Sequence, residues 1–190
     1  MNTLEAIASR RSIRRYEDRP VPRELTEQVL AATVQAPSAK NVQPWRFVVL
    51  EGPPKDALVQ ILKDCAATLK ASGADSGSLR WTVRSMSQAP VCIVVLEPAV
   101  PEEIPARFHD DYHLVMLQSI GAAIQTLLLA AQELGLGSLW ICDILYAAGE
   151  VLAWLGRPDH RLIAAVSLGY AAESPGPRPR HPWPEVTEWR

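Results

Sequence analysis

Three short stretches hold the residues that could do chemistry. SRRSIRRY, residues 9 to 16, sets Arg10, Ser12 and Arg14 at alternate positions. In extended backbone alternate side chains share a face. Two guanidinium groups and a hydroxyl presented together suit a phosphate. The plainer reading is a solvated basic stretch paired with Glu17 and Asp18. APSAKNVQPWRF, residues 36 to 47, places Ser38, Asn41 and Gln43 between Pro37 and Pro44. Hydroxyl and amide groups both donate and accept, which suits a planar ligand with many polar edges. Trp45 is either core or a wall of such a site. Near the end, Arg178-Pro179-Arg180 lies among prolines that keep a chain extended and stiff, so its arginines meet either a phosphate or solvent.

Other chemistries find less support. Gly135-Leu136-Gly137 looks like half of a dinucleotide fingerprint, but it follows a helix, precedes a strand and lacks the third glycine. No Walker loop is present. His109 and His113 stand four apart beside Asp110 and Asp111. His113 is read as opening a helix that His109 precedes, no distant third ligand is evident, and acids suit a helix start, so no metal is expected. Spacing does not reveal a Ser-His-Asp set. Cys65, Cys92 and Cys142 are an odd, dispersed trio in apolar surroundings, which argues against a disulfide framework and a zinc site.

The positioning elements must come from 190 residues, enough for one domain with a real core. Net charge is −2, so no global field draws nucleic acid. The cations are skewed to 15 Arg against 4 Lys, with six Arg between Arg10 and Arg23; forked anion binding and codon bias explain that equally well. No secretory leader is read in MNTLEAIASRRS, and uninterrupted apolar runs fall well short of the roughly 18 residues of a membrane span. The expected location is the cytoplasm.

Asn2 and Glu5 read as a capping box on a short helix to about Arg10. A second helix starts near Pro22 and stops at Pro37. A strand covers 47–50, and a third helix starts at Pro54 with Leu58, Leu62, Cys65 and Leu69 as its stripe. Residues 72–78 are loop, and 81–87 stay ambiguous. VCIVVL, 91–96, reads as a buried strand. Residues 97–105 form a loop or lid of three prolines and three glutamates. The longest helix, 111–134, is apolar on most sides and suits burial against a partner subunit. A strand at 138–142, a helix at 146–155 and a strand at 162–168 follow, then a proline-rich tail. This order describes one sheet covered by helices.

Taken in order, RRSIRRYEDRPV, APSAKNVQPWRF, QSIGAAIQTLLLAAQELGLGSLWIC and LGYAAESPGPRPR resemble the nitroreductase family of FMN-dependent flavoproteins. Only residues 54–90 and the 97–110 loop lie outside the likeness. The resemblance implies an α+β, three-layer α/β/α-like fold: a central mixed or antiparallel sheet flanked by helices, in an intertwined homodimer with two FMN sites at its interface. It implies one domain over 1–190, with 170–190 an extended tail on the partner or the FMN site. Arg10, Arg11, Ser12 and Arg14 would hold the FMN phosphate and ribityl side, and Arg178 and Arg180 would close on the phosphate. Pro37, Ser38, Ala39 and Asn41 would reach the flavin of the other subunit, with Gln43 and Pro44 shaping the loop. Leu139, Trp140, Ile141 and Cys142 would run along the isoalloxazine edge, their backbone addressing N5 and O4.

The chain departs from the family where Ala39 replaces a frequent serine and where Cys142-Asp143 replaces an acid-glycine pair. The partner of the flavin pyrimidine should come from about 80–90, with Arg84 the candidate. The implied activity is ping-pong hydride transfer from NADH or NADPH through flavin N5 to a nitro, quinone or similar acceptor. The flavin carries the chemistry, so no catalytic side chain is expected. Arg14 is the candidate cation at the N1–O2 edge. The alternatives are a flavin-binding redox sensor or store without turnover, and a structural dimer module with a lost site.

Overall fold

The computed structural model describes residues 2–190. Asn2 opens α1 (Thr3–Ser9) through a reciprocal cap: its side chain accepts the Glu5 N–H at 3.0 Å, and the Glu5 carboxylate accepts the Asn2 N–H at 2.9 Å. An extended strap follows and leads to α2 (Arg23–Thr33), capped by Pro22. This helix ends before Pro37. Thr33 turns its hydroxyl back to the Val29 carbonyl at 2.7 Å, and single turns carry the chain through Ala36. Proline disfavours helical backbone in the residue before it, so the last turns loosen early.

Four strands, β1 (Arg46–Glu51), β2 (Val91–Glu97), β3 (Gly137–Ile141) and β4 (Arg161–Gly169), pair in the order β1-β2-β4-β3. Each of these pairings is antiparallel. β2 is buried at every position because helices cover both its faces. Val91, Ile93 and Val95 meet α2 and α5 (His109–Glu133) through Val29, Ile124 and Leu127. Cys92, Val94 and Leu96 meet the other layer: α3 (Gly52–Ser72), α4 (Leu79–Gln88) and α6 (Ala148–Trp154). The class is α+β, with helices on both sides of an antiparallel sheet.

Several boundaries differ from the expectation. α3 begins at Gly52, whose φ of +52° suits glycine, and both prolines fall in its first turn. The ambiguous 81–87 segment is helix α4. α5 takes in His109, so both histidines share one helix. β3 stops at Ile141, and a 3-10 turn, Asp143–Ala147, precedes the shortened α6. The helical stretch Ala106–Glu133, most of it α5, is long and apolar enough to cross a membrane, with a mean hydropathy of 1.8 over its most apolar window, but Ile120, Ile124 and Leu127 are fully buried in the core. At its start Leu114 and Val115 remain exposed.

Candidate functional site

The strap over Ser12–Glu17 is tied to the sheet residue by residue. Ser12 forms a parallel bridge with Ser138, and the Ile13 N–H donates to the Ser138 carbonyl at 2.9 Å. Tyr16 bridges Ala171, the Glu17 N–H donates to the Tyr170 carbonyl at 2.9 Å, and the Ala172 N–H to the Arg15 carbonyl at 3.0 Å. Beyond it, the Arg19 guanidinium lies over the Tyr170 ring, 3.7 Å from its centroid. Tyr16 is buried with its hydroxyl donating to the Ile13 carbonyl at 2.8 Å, and burial raises its pKa. Two glycines admit the strap. A Cβ on Gly137 would sit 2.9 Å from Ile13 Cγ1, and one on Gly169 would sit 2.6 Å from Pro90 Cδ and 2.9 Å from Tyr16 Cδ1. Gly137, half of the apparent dinucleotide motif, is therefore a packing residue.

This register brings the arginine stretches together. Arg10, Arg11, Ser12 and Arg14 line a cavity of about 370 Å³ with Arg178 and Arg180 from the tail. Arg10 is half-buried and its pKa is lowered, by burial first and then by repulsion from Arg180 and Arg11. Converging like charges at a half-buried point favour an anion between them. A phosphate fits that requirement, with Ser12 adding a hydroxyl.

A second cavity, about 260 Å³, shares Arg14 with the first. Its lining holds Leu139, Trp140, Ile141 and Cys142 together with Ser78, Trp81, Thr82 and Asp143. Trp81 and Trp140 are both partly exposed, so two indoles offer apolar area to a ring. Asp143 Oδ2 accepts from Ser78 Oγ at 2.5 Å and Thr82 Oγ1 at 2.7 Å, pinning the start of α4 to the end of β3. Arg84 does not line this cavity; Ser78, Trp81 and Thr82 are the residues of that region that do. Polar Ser78 and Thr82 gave no periodic signal, which is why they escaped notice. Cys142 is an exposed residue; partial desolvation of its thiol and the neighbouring Asp143 raise its pKa, so it is protonated at neutral pH. Cys92 is pushed up to about 12 by burial.

Pro37, Ser38, Ala39, Asn41 and Gln43 line neither of these two cavities; Gln43 lines another, between the loop and Tyr112 and Met116 of α5. The loop is held from within. Ser38 Oγ accepts the Gln43 N–H at 3.0 Å, and the Ala39 N–H donates to Ser119 Oγ of α5 at 3.2 Å. Lys40, Asn41 and Gln43 take positive φ of 49°, 56° and 52°. Left-handed backbone at non-glycine residues stores strain, and such strain clusters at functional sites. Asn41 and Gln43 are exposed, whereas Trp45 is buried core rather than a wall. His109 Nε2 lies 2.9 Å from the Ile104 carbonyl, and His113 Nδ1 lies 2.5 Å from Glu97 Oε2. The histidines thus answer to their own loop and to a buried carboxylate.

The nitroreductase family model matches residues 7–170. A Thermus thermophilus protein named NADH dehydrogenase is 32% identical over 217 aligned positions, covering all of this chain and 97% of that one. A solved structure from Desulfovibrio desulfuricans, assigned as a nitroreductase and in complex with FMN, is 30% identical with a TM-score of 0.76, covering 100% and 98% of the two chains. The FMN- and NADPH-dependent nitroreductase NfnB from sphigopyxis sp. strain HMH is 22% identical with a TM-score of 0.82 over 100% and 99%, a likeness of fold. With the match covering the strap, the loop, β3 and β4, the chain belongs to the nitroreductase family of FMN-dependent oxidoreductases.

Proposed function

We propose that this chain works as a homodimer that moves reducing equivalents from NADH or NADPH to a small nitro, quinone or similar acceptor. The observation that carries the reading is the pair of cavities joined at Arg14, one ringed by guanidinium groups and the other walled by two indoles. Arg10, Arg11, Ser12 and Arg14 hold the FMN phosphate and ribityl side, and Arg178 and Arg180 close on the phosphate. Arg14 supplies a positive charge where the two cavities meet. The backbone of Leu139 to Cys142 addresses the ring edge, and Trp81 and Trp140 limit water around it. Bound FMN supplies hydride acceptance and donation between the nicotinamide and the acceptor. The protein contributes placement and charge, and no side chain need carry a proton.

The Pro-Ser loop serves the partner's flavin in this reading. Its support is the loop's absence from the lining of the arginine cavity and the indole-walled cavity, its strained backbone, and the apolar residues left uncovered. Val42, Leu114, Trp183, Val186 and Trp189 are exposed by 45%, 56%, 65%, 71% and 83%. The 170–190 tail would then pack on a partner beyond the arginine cavity, within a single domain spanning 1–190. No nucleic acid or membrane partner enters this reading, and the cytoplasm is the location it assumes.

The test is steady-state oxidation of NADH and NADPH by the FMN-loaded protein with 1,4-benzoquinone or nitrofurazone as acceptor. Acceptor-dependent turnover supports the proposal. A bound, reducible flavin without turnover favours the redox store or sensor instead.

A further inference from the structure

The arginine cavity takes its arginines from two segments far apart in sequence, the strap and the tail. Among the described residues, no main-chain to main-chain hydrogen bond ties Ser174–Arg180 to the rest of the fold. That stretch carries three prolines, Pro175, Pro177 and Pro179, which limit its freedom but anchor nothing. Arg180 of the tail repels Arg10 of the strap, which adds to burial in lowering the Arg10 pKa. Something must hold the tail in place against that repulsion before an anion arrives.

We propose that Glu173 is a positioning residue that clamps the tail to the strap and so sets the geometry of the phosphate cage, resting on the FMN reading above. Its Oε1 accepts the main-chain N–H groups of Arg14 at 2.5 Å and Arg15 at 3.1 Å. Its Oε2 accepts from Arg15 Nε at 3.2 Å. One carboxylate thus receives three donors from two consecutive strap residues. It does so at the end of the strap ribbon, where the last main-chain bond is the Ala172 N–H to the Arg15 carbonyl. Arg14, whose amide it holds, lines both cavities, and Arg178 and Arg180 follow within the same short tail. Glu173 itself does not line the arginine cavity.

The two roles a carboxylate could play here have opposite signs. A negative charge near a phosphate site weakens phosphate binding through space, so its removal would tighten FMN. A clamp organises the donors in advance, so its removal weakens FMN more than a flavin without phosphate.

The experiment measures dissociation constants of apo-protein for FMN and riboflavin by flavin fluorescence, for wild type, Glu173→Ala and Glu173→Gln. The expected result is a loss of about tenfold in FMN affinity for Glu173→Ala, the scale of one charge-assisted hydrogen bond. Riboflavin affinity should fall by much less, because the clamp reaches the ring cavity only through Arg14. Glu173→Gln keeps an oxygen for the amides and loses the Arg15 pair, so it should fall between the two. It also serves if the alanine variant fails to fold. Tighter FMN, or an equal loss for both flavins in the glutamine variant, would overturn the clamp while leaving the flavoprotein reading intact. Wild-type protein that binds no FMN would overturn both. Hydrogen exchange at the Arg14 and Arg15 amides reads the clamp without flavin: slow in wild type and faster in the variants if it exists, unchanged if it does not.

Discussion

Gly137→Ala should loosen FMN without altering any group proposed to meet it. The added Cβ would stand 2.9, 3.0 and 3.1 Å from Ile13 Cγ1, Cγ2 and Cβ. Ordinary carbon contacts lie at about 3.5–4.0 Å, so Ile13 must retreat by roughly 0.5–1 Å. Ile13 sits between Ser12 and Arg14 on a strap whose Ile13 amide bonds to Ser138, so the retreat pulls that bond and moves both neighbours. Overpacking of this kind costs about 1–3 kcal/mol. For a chain of this size, about 2 kcal/mol corresponds to a fall of about 4–8 °C in Tm. FMN affinity should fall about tenfold, the scale of one disturbed charge-assisted contact. The assay is thermal melting together with FMN titration, with Ile13→Ala and the double variant completing a cycle. Alanine at 13 removes the two nearest atoms, so the double variant should be less damaged than the sum, with a coupling of about 1 kcal/mol. If Gly137→Ala melts and binds like wild type, the strap is not seated on β3 by this contact and the reasoning fails.

Arg180→Ala should weaken FMN by about tenfold or more and leave riboflavin unchanged, because the side chain lines only the arginine cavity; comparing the two flavins by titration checks it. Arg14→Ala should lower the flavin midpoint potential by about 30 mV, the equivalent of about 1.4 kcal/mol in a two-electron couple. Redox titration with an unchanged potential would remove Arg14 from the ring edge. Burial acts to raise the Glu173 pKa, but the two strap amides and the Arg15 guanidinium outweigh it and leave the carboxyl below its usual range. Its contribution is therefore complete above the ordinary glutamate pKa of about 4.3 and is lost as pH falls from there through the lowered value. FMN retention in acid should show that limb in wild type and lack it in Glu173→Gln.

The sheet could be read from the sequence because its signals are strong. VCIVVL is apolar without a break, and β2 is buried on both faces. The Asn2–Glu5 cap and the length of α5 were equally plain, since a reciprocal cap and a long apolar helix leave local marks. α4 was obscured because two of its four buried positions, Thr82 and Ser85, carry hydroxyls that break the apolar period beside Leu79 and Met86. α6 was drawn too long because Asp143 is held by Ser78 and Thr82, which shapes a 3-10 turn that no local pattern announces.

In the site, the two arginine stretches were visible as residue types, but their meeting depends on bridges from Ser12 to Ser138 and from Tyr16 to Ala171. Those are tertiary contacts across most of the chain. Glu173 lay inside a recognisable stretch and still drew no attention, because its partners are main-chain amides that look the same in every sequence. Arg84 was the candidate offered from 80–90, and the residues of that region lining the cavity beside β3 are Ser78, Trp81 and Thr82.

The measurement closest to the central claim is the flavin content of the purified protein. Heat release of bound chromophore, separation and absorbance quantification should return FMN at close to one per chain, or the protein should take up added FMN to that ratio. A colourless protein that also fails to bind added FMN would contradict the account, leaving the guanidinium cage and the indole-walled cavity without the ligand they were assigned.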